Sequence, residues 1–258
     1  MSSYEALAAS YDALMADASY RKRADFLERL LRKSAIPVHS VLDLACGTGT
    51  ISCLLAQRGY QVIATDGSEE MLTQAAGKAA ALGEQMPLFL HQDMTRLRLA
   101  EPVDAVVSTL DSLNYLTREK DVRETFRRVW RWLRPGGQFL FDVNTPYKLR
   151  RMDGQIYMDE TEETCCVWRT FFSQRTQVCT YQVDLFQLRP DGAWERTFEE
   201  HRERAWSREQ LQSWLEEAGF EKITVTGDLT MRAPLEDEDR WIIRAGKPLA
   251  KEEKCGFE

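Results

Sequence analysis

The stretch VLDLACGTGT, Val41 to Thr50, places one acid, Asp43, inside an apolar run and follows it with two glycines, Gly47 and Gly49. Glycine lets the backbone bend tightly and come close to a ligand with no Cβ in the way. A carboxylate set behind such a bend favours a cationic group nearby. Asp66 ends the next apolar run, YQVIATD, where an acid can accept hydrogen bonds from both hydroxyls of a ribose. Together these residues ask for a nucleoside that carries a positive charge. A nicotinamide dinucleotide fits less well, because the third glycine of its GxGxxG pattern is replaced by Ser52. The 6 cysteines show no CxxC spacing and the 3 histidines lie far apart, so no protein-held metal is expected.

These residues need elements to hold them. SVLDLA (40–45) reads as a buried strand, TISCLLAQRG (50–59) as a helix closed by Gly59, and YQVIATD (60–66) as the next strand. SEEMLTQAAGKAAALG (68–83) reads as a helix with Ser68 as N-cap. PLFLHQD (87–93) and VDAVVSTL (103–110) are two more strands; a helix from about 117 to 133 ends at RPGG, and QFLFDVN (138–144) is a fifth strand. Strands and helices alternating in this way form a parallel sheet covered on both faces, with right-handed crossovers. Two helical segments precede it, YEALAASYDALM and YRKRADFLERLLRKS.

After Pro146 the period changes from helical to extended. TCCVWRTFFS, QVCTYQVDLFQLRP and AWERTFEEHRERAW read as consecutive strands of an antiparallel β-meander inserted into the α/β frame. SREQLQSWLEEAGF restores helical spacing, with Ser207 and Gln210 as a capping box, and EKITVTGD and RWIIRAG are final strands. The expected organisation is N-terminal helices over 1–36, a doubly wound core over 37–146 and 207–247, an inserted lid over 147–206 and a tail over 248–258.

Composition bounds the rest. An apolar share of 43% and a charged share of 29% describe an ordinary globular chain, expected in the cytoplasm with free thiols and no signal peptide. No apolar run is long enough to cross a bilayer. A net charge of −7 opposes a broad grip on nucleic acid, the local exception being the arginines at 127, 128, 131 and 134.

VLDLACGTGT, ATDGSEEML, HQDM, VVSTLDSLNYL and LRPGGQFLFDVN, in that order, resemble the successive motifs of the class I S-adenosylmethionine-dependent methyltransferases. The resemblance covers roughly 38–145, with the family's last strands at 221–246. It implies a seven-stranded, mostly parallel sheet with a reversed last hairpin, and S-adenosylmethionine as cofactor. By that resemblance Ala45, Gly47 and Gly49 line the methionine moiety and Asp66 holds the ribose. Gly67 and Met71 flank the adenine, Asp93 accepts from its amino group with Met94 beside it, and Leu110 offers a carbonyl near the methionine amine. Tyr11 and Tyr20 resemble aromatic residues that close over the cofactor in members acting on small molecules. An added sheet like the meander occurs in sugar N-methyltransferases, where it also supports dimers.

Methyl transfer demands alignment and exclusion of water, and a general base only when the attacking atom must lose a proton. At the mouth, Tyr115 and Asn114 are candidates to orient an acceptor, Asp111 to pair with a cationic amine and His201 to act as base. The expected activity is transfer to nitrogen or oxygen of a small polar acceptor. An RNA or protein methyltransferase, or a protein that binds the cofactor without transferring from it, are the alternatives.

Overall fold

The computed structural model describes residue 8 and residues 19–250. Helix α1 (Tyr20–Leu31) leads into an alternation of β1 (Ser40–Leu44), α2 (Thr50–Gln57), β2 (Gln61–Asp66), α3 (Glu69–Ala79) and β3 (Leu88–His91). β4 (Val103–Ser108), α4 (Glu119–Trp132) and β5 (Leu133–Asn144) continue it. A short helix α5 (Pro146–Arg151) precedes four strands, β6 (Ile156–Glu160), β7 (Thr164–Ser173), β8 (Val178–Leu188) and β9 (Trp194–Arg204). Helix α6 (Arg208–Ala218) returns the chain to the core, which closes with β10 (Glu221–Gly227) and β11 (Arg240–Gly246).

The core sheet has seven strands in the order β10-β11-β5-β4-β1-β2-β3, and β11 alone runs against the others. The four strands of the insertion form a separate antiparallel sheet, β6-β7-β8-β9. Strand order reverses between β1 and β4, the place where an open α/β sheet opens a crevice beyond its carboxyl ends. Both faces of the sheet are covered, as the near-continuous apolar runs of β1 and β4 require. Leu42, Val106, Phe139 and Phe141 pack under α4 and α6 on one face. Val41, Ala105 and Val107 pack under α1 and α2 on the other.

Three details depart from expectation. The insertion has four strands rather than three, since residues 156–160 pair with β7 although all five are exposed. An edge strand bathed on both faces shows no apolar alternation, so periodicity does not reveal it. Helix α3 stops at Ala79 and a 3₁₀ turn runs from Ala80 to Gln85, with Gly83 at φ 56°. The glycines of RPGG lie inside β5, which starts at Leu133, directly after α4. The segment YEALAASYDALM, with Tyr11, lies outside the described residues.

Candidate functional site

The loop leaving β1 turns back on itself through left-handed backbone at Ala45 (φ 59°), Gly47 (φ 55°) and Gly49 (φ 71°). It lies against the end of β2, where Asp66 Oδ2 accepts from the Gly47 N–H at 2.8 Å and Oδ1 from the Ser68 N–H at 2.9 Å. Burial pushes the Asp66 carboxyl up from its ordinary value, and these backbone donors oppose that shift in part. Asp66 thus joins the glycine bend to the first turn of α3, whose N-cap Ser68 accepts from Met71.

Beyond these strand ends is a cavity of about 390 Å³, a size suited to one small ligand. Tyr20, Ala45, Gly47, Asp66, Gly67, Met71, Asp93, Met94, Leu110 and Tyr115 all line it. Segments from five places in the chain therefore converge on one space. Cys46, Thr48, Thr50, Ile51, Ser68, Thr109 and Ser112 complete the wall. They were legible only as neighbours of the named residues, because each occupies the same turns. Asp93 uses Oδ1 to accept from the backbone and hydroxyl of Thr95 at 2.7 and 2.8 Å.

Two residues expected on the wall stand behind it. Gly49 does not line the cavity; a Cβ there would come within 2.8 Å of the Ala75 Cβ and 3.1 Å of the Phe89 ring. Close packing of α2 against α3 and β3, together with its positive φ, demands that glycine. Asp43 is also absent from the wall and is only 1% exposed. Its Oδ2 accepts from the Ser52 hydroxyl at 2.5 Å, while Oδ1 has no hydrogen-bond partner among the described residues. Burial pushes this carboxyl up to about 7, against the Ser52 hydrogen bond and with help from the charge of Asp66. An orphaned buried carboxylate oxygen beneath a glycine bend fits a ligand with a cationic group.

The turn after β4 forms another part of the wall. Leu110 (φ 59°) and Asp111 (φ 58°) are consecutive non-glycine residues in the left-handed region, at a cost of ~1 kcal/mol or more each. Both N–H groups donate to Asp142, at 3.0 and 2.8 Å. Arg240 bonds to Asp142 and also reaches Asp111 Oδ1 at 2.6 Å. Burial opposes ionisation of Asp142, but the Arg240 and Arg23 guanidiniums outweigh it and hold the carboxyl below its ordinary value. Asp111 is therefore engaged by Arg240 and is not on the cavity wall.

Asn114 is likewise committed. It is fully buried, donates to the carbonyls of Asn144 and Arg204 at 3.1 and 2.9 Å, and accepts from the Asn144 N–H at 2.9 Å. It pins the turn after β4 to the ends of β5 and β9. With both amide protons and one oxygen lone pair spent on backbone groups, it holds the turn and does not line the cavity.

The inserted sheet presents Glu199, His201 and Glu203 of β9 inward, and His201 is 1% exposed. The imidazole meets the Tyr115 ring edge-on at 6.1 Å and lies 6.3 Å from the Trp168 ring, with Nε2 3.0 Å from Glu199. His201 therefore stands behind Tyr115 rather than on the cavity wall. Glu203 accepts from Asn144 Nδ2 at 2.7 Å, and burial, with the charge of Asp111, pushes its carboxyl up to about 8. Sequence alone did not single out Glu203. It follows Glu199 and Glu200 in a charge-rich run whose pattern does not say which acid is buried.

The arginines of α4 carry partners. Arg123 pairs with Glu119 and Glu217, Arg127 and Arg128 with Glu124, and Arg131 lies over the Trp132 ring, while Arg134 at the start of β5 pairs with Asp104. Among the described residues no cluster of ligating side chains suits a metal ion, and no helix is long and apolar enough to cross a membrane.

The methyltransferase domain family matches residues 41–137, the span from β1 to the start of β5. A putative methyltransferase of Geobacillus sp. (strain WCH70) is 35% identical, over 95% of this chain and 99% of its own length. The solved structure of a S-adenosylmethionine-dependent methyltransferase from Clostridium acetobutylicum matches with a TM-score of 0.85 at 27% identity, covering 96% of this chain and 100% of that one. A sugar N-methyltransferase from Streptoalloteichus shares the fold, with a TM-score of 0.75 at 20% identity over 92% of this chain and 90% of its own.

Proposed function

We propose that this chain, which belongs to the class I S-adenosylmethionine-dependent methyltransferases, moves a methyl group to nitrogen or oxygen of a small polar acceptor. The bound cofactor supplies an electrophilic methyl group on a sulfonium. Asp66 holds the ribose hydroxyls, Gly67 and Met71 flank the adenine, and Asp93 with Met94 takes its amino edge. Ala45 and Gly47 bring backbone close to the methionine end, and Asp43 places negative charge behind it. Tyr20 covers the same space from α1.

The observation that carries the acceptor class is the seating of the inserted sheet on the Tyr115 side of the cavity. Tyr115 lines the wall and meets the His201 ring of β9, which sets this sheet beside the Tyr115 end of the cavity. In this reading Tyr115 orients the acceptor, and His201, with Glu199, fixes the Tyr115 ring from behind. A sheet inserted at this end of the cavity suits a small molecule better than a polymer. The sugar N-methyltransferase that shares the fold supports an amine or hydroxyl on a small molecule as the target. Ion pairing along α4 weighs against an RNA-binding face. Cys46, Cys165, Cys166 and Cys179 are thiols, in keeping with a reducing compartment and so with a cytoplasmic site of action.

Calorimetric titration with S-adenosylhomocysteine, followed by transfer of labelled methyl to a panel of small amines and hydroxyl compounds, tests this reading. Micromolar binding is expected, weakened roughly tenfold or more by Asp66→Ala through loss of its hydrogen bonds. Labelling of RNA or protein in place of small acceptors would overturn the acceptor class. Binding with no transfer to any acceptor would leave a cofactor-binding protein.

A further inference from the structure

Part of the cavity wall rests on a carboxylate that does not itself line the cavity. Asp142, near the end of β5, is 3% exposed, and its two oxygens accept from the N–H groups of Leu110 and Asp111. The chain has no cis peptide among its described residues. In a trans peptide the C=O points opposite to the N–H that follows it. With the Asp111 N–H bound to Asp142, the Leu110 carbonyl is turned away from Asp142, and Leu110 is a wall residue. The left-handed φ at both residues persists only where the surroundings hold it.

Two guanidiniums from distant segments hold Asp142. Arg240 of β11 bonds to Asp142 and to Asp111, closing a ring around the turn. Arg23 of α1 lies 3.3 Å from Asp142 and 3.1 Å from Asp228. Arg23 follows Tyr20 by three residues, on the same side of the helix, and Tyr20 lines the cavity. One ionic cluster therefore joins two parts of the wall that come from separate segments of the chain, α1 and the turn after β4.

We propose that Asp142, bridged by Arg240 and Arg23, is a positioning residue that aims the Leu110 carbonyl at the ammonium of the cofactor's amino-acid end and ties α1 to the same wall. This deepens the cofactor assignment of the preceding subsection and rests on it. No described side chain other than Asp142 accepts from the Leu110 and Asp111 N–H groups, so the aim of that carbonyl depends on it.

The test compares two ligands by calorimetry. S-Adenosylhomocysteine carries the ammonium; 5′-methylthioadenosine has the same nucleoside and thioether but no amino-acid end. In Asp142→Asn, S-adenosylhomocysteine should weaken roughly tenfold or more, the worth of a charge-assisted hydrogen bond, while 5′-methylthioadenosine changes by less than about twofold. Should Asp142→Asn fail to fold, Arg240→Lys, which keeps the charge but not the two-pronged bridge, is expected to shift the same ratio in the same direction. Equal losses for both ligands, or unchanged S-adenosylhomocysteine binding, would overturn the proposal while leaving the cofactor assignment intact. If the unmodified protein does not bind S-adenosylhomocysteine, both fall together.

Discussion

Asp43 is the residue whose burial has the clearest consequence in solution. Its carboxyl, pushed up to about 7 by burial, carries a proton in the folded protein over a range where the unfolded chain has lost it. Because the folded value is raised, its contribution to stability is fully present below the unfolded value. It declines as pH rises, until the folded carboxyl has itself ionised near 7. A cationic ligand reverses the preference by favouring the ionised form. S-Adenosylhomocysteine should therefore bind more tightly as pH rises from 6 to 8, and calorimetry in buffers of different ionisation enthalpy should record proton release. Asp43→Asn should flatten this dependence; an unchanged profile in that variant would place the linkage elsewhere. Asp43 and Asp66 share a strand-end setting but differ in duty. Asp66 faces the cavity with backbone donors on both oxygens, whereas Asp43 stands behind it with one oxygen unused.

At the scale of elements, strand β9 and helix α6 show how local rules and tertiary contacts divide the work. Helix α6 starts at the capping box of Ser207 and Gln210, in which the Gln210 N–H donates to the Ser207 hydroxyl at 3.2 Å and the Ser207 N–H to Gln210 Oε1 at 3.0 Å. Ser207→Ala should cost about 1 kcal/mol, read as a lower urea midpoint with unchanged slope. Strand β9 is held by less local means. Glu203 is buried between the insertion and the core, with its carboxyl raised to about 8. The sign is that of a raised carboxyl: wild-type stability falls as pH rises from the unfolded value through about 8. Glu203→Gln keeps an acceptor for Asn144 and removes the ionisation. The variant should gain thermal stability over wild type progressively between pH 5 and 9, and a constant difference across that range would disprove the assignment.

For the whole molecule, the outward face of the inserted sheet poses the remaining question. Met158 (64% exposed), Phe171 (50%), Trp194 (49%) and Phe198 (49%) stand on it, around Asp184, which Arg169 and Arg196 neutralise. Registers β6–β7, β7–β8 and β8–β9 bring Met158, Val167, Asp184 and Phe198 into one row. An apolar face of this kind, left open on a folded chain, is the setting of a protein partner, and the dimer that the family resemblance implies would bring a second copy of the same sheet to it. Light scattering should report a dimer, and Phe198→Glu a monomer that still binds S-adenosylhomocysteine. A wild-type monomer at micromolar concentration would overturn this.

What the sequence by itself determined was local: the strand-to-turn periods, the glycine bend after β1, the acids at the ends of β2 and β3, the capping box of α6. Each follows from residues within a few positions of one another, where backbone freedom and side-chain period act directly. Because a parallel sheet aligns its carboxyl ends, those local signals also foretold that Gly47, Asp66 and Asp93 would share one cavity. Tertiary structure alone decided which acids face that cavity and which stand behind it. Asp111 looked open to a ligand until Arg240, 129 positions on, took it. Asn114 is spent on the carbonyl of Arg204, 90 positions on, and Asp142 is held by Arg23, 119 positions back. His201 was expected at the mouth as a base, and the pattern of β9 does not say that it packs behind Tyr115 instead. Pairings of this kind are set by the folded distance between segments, and a buried charge takes whatever partner that distance supplies.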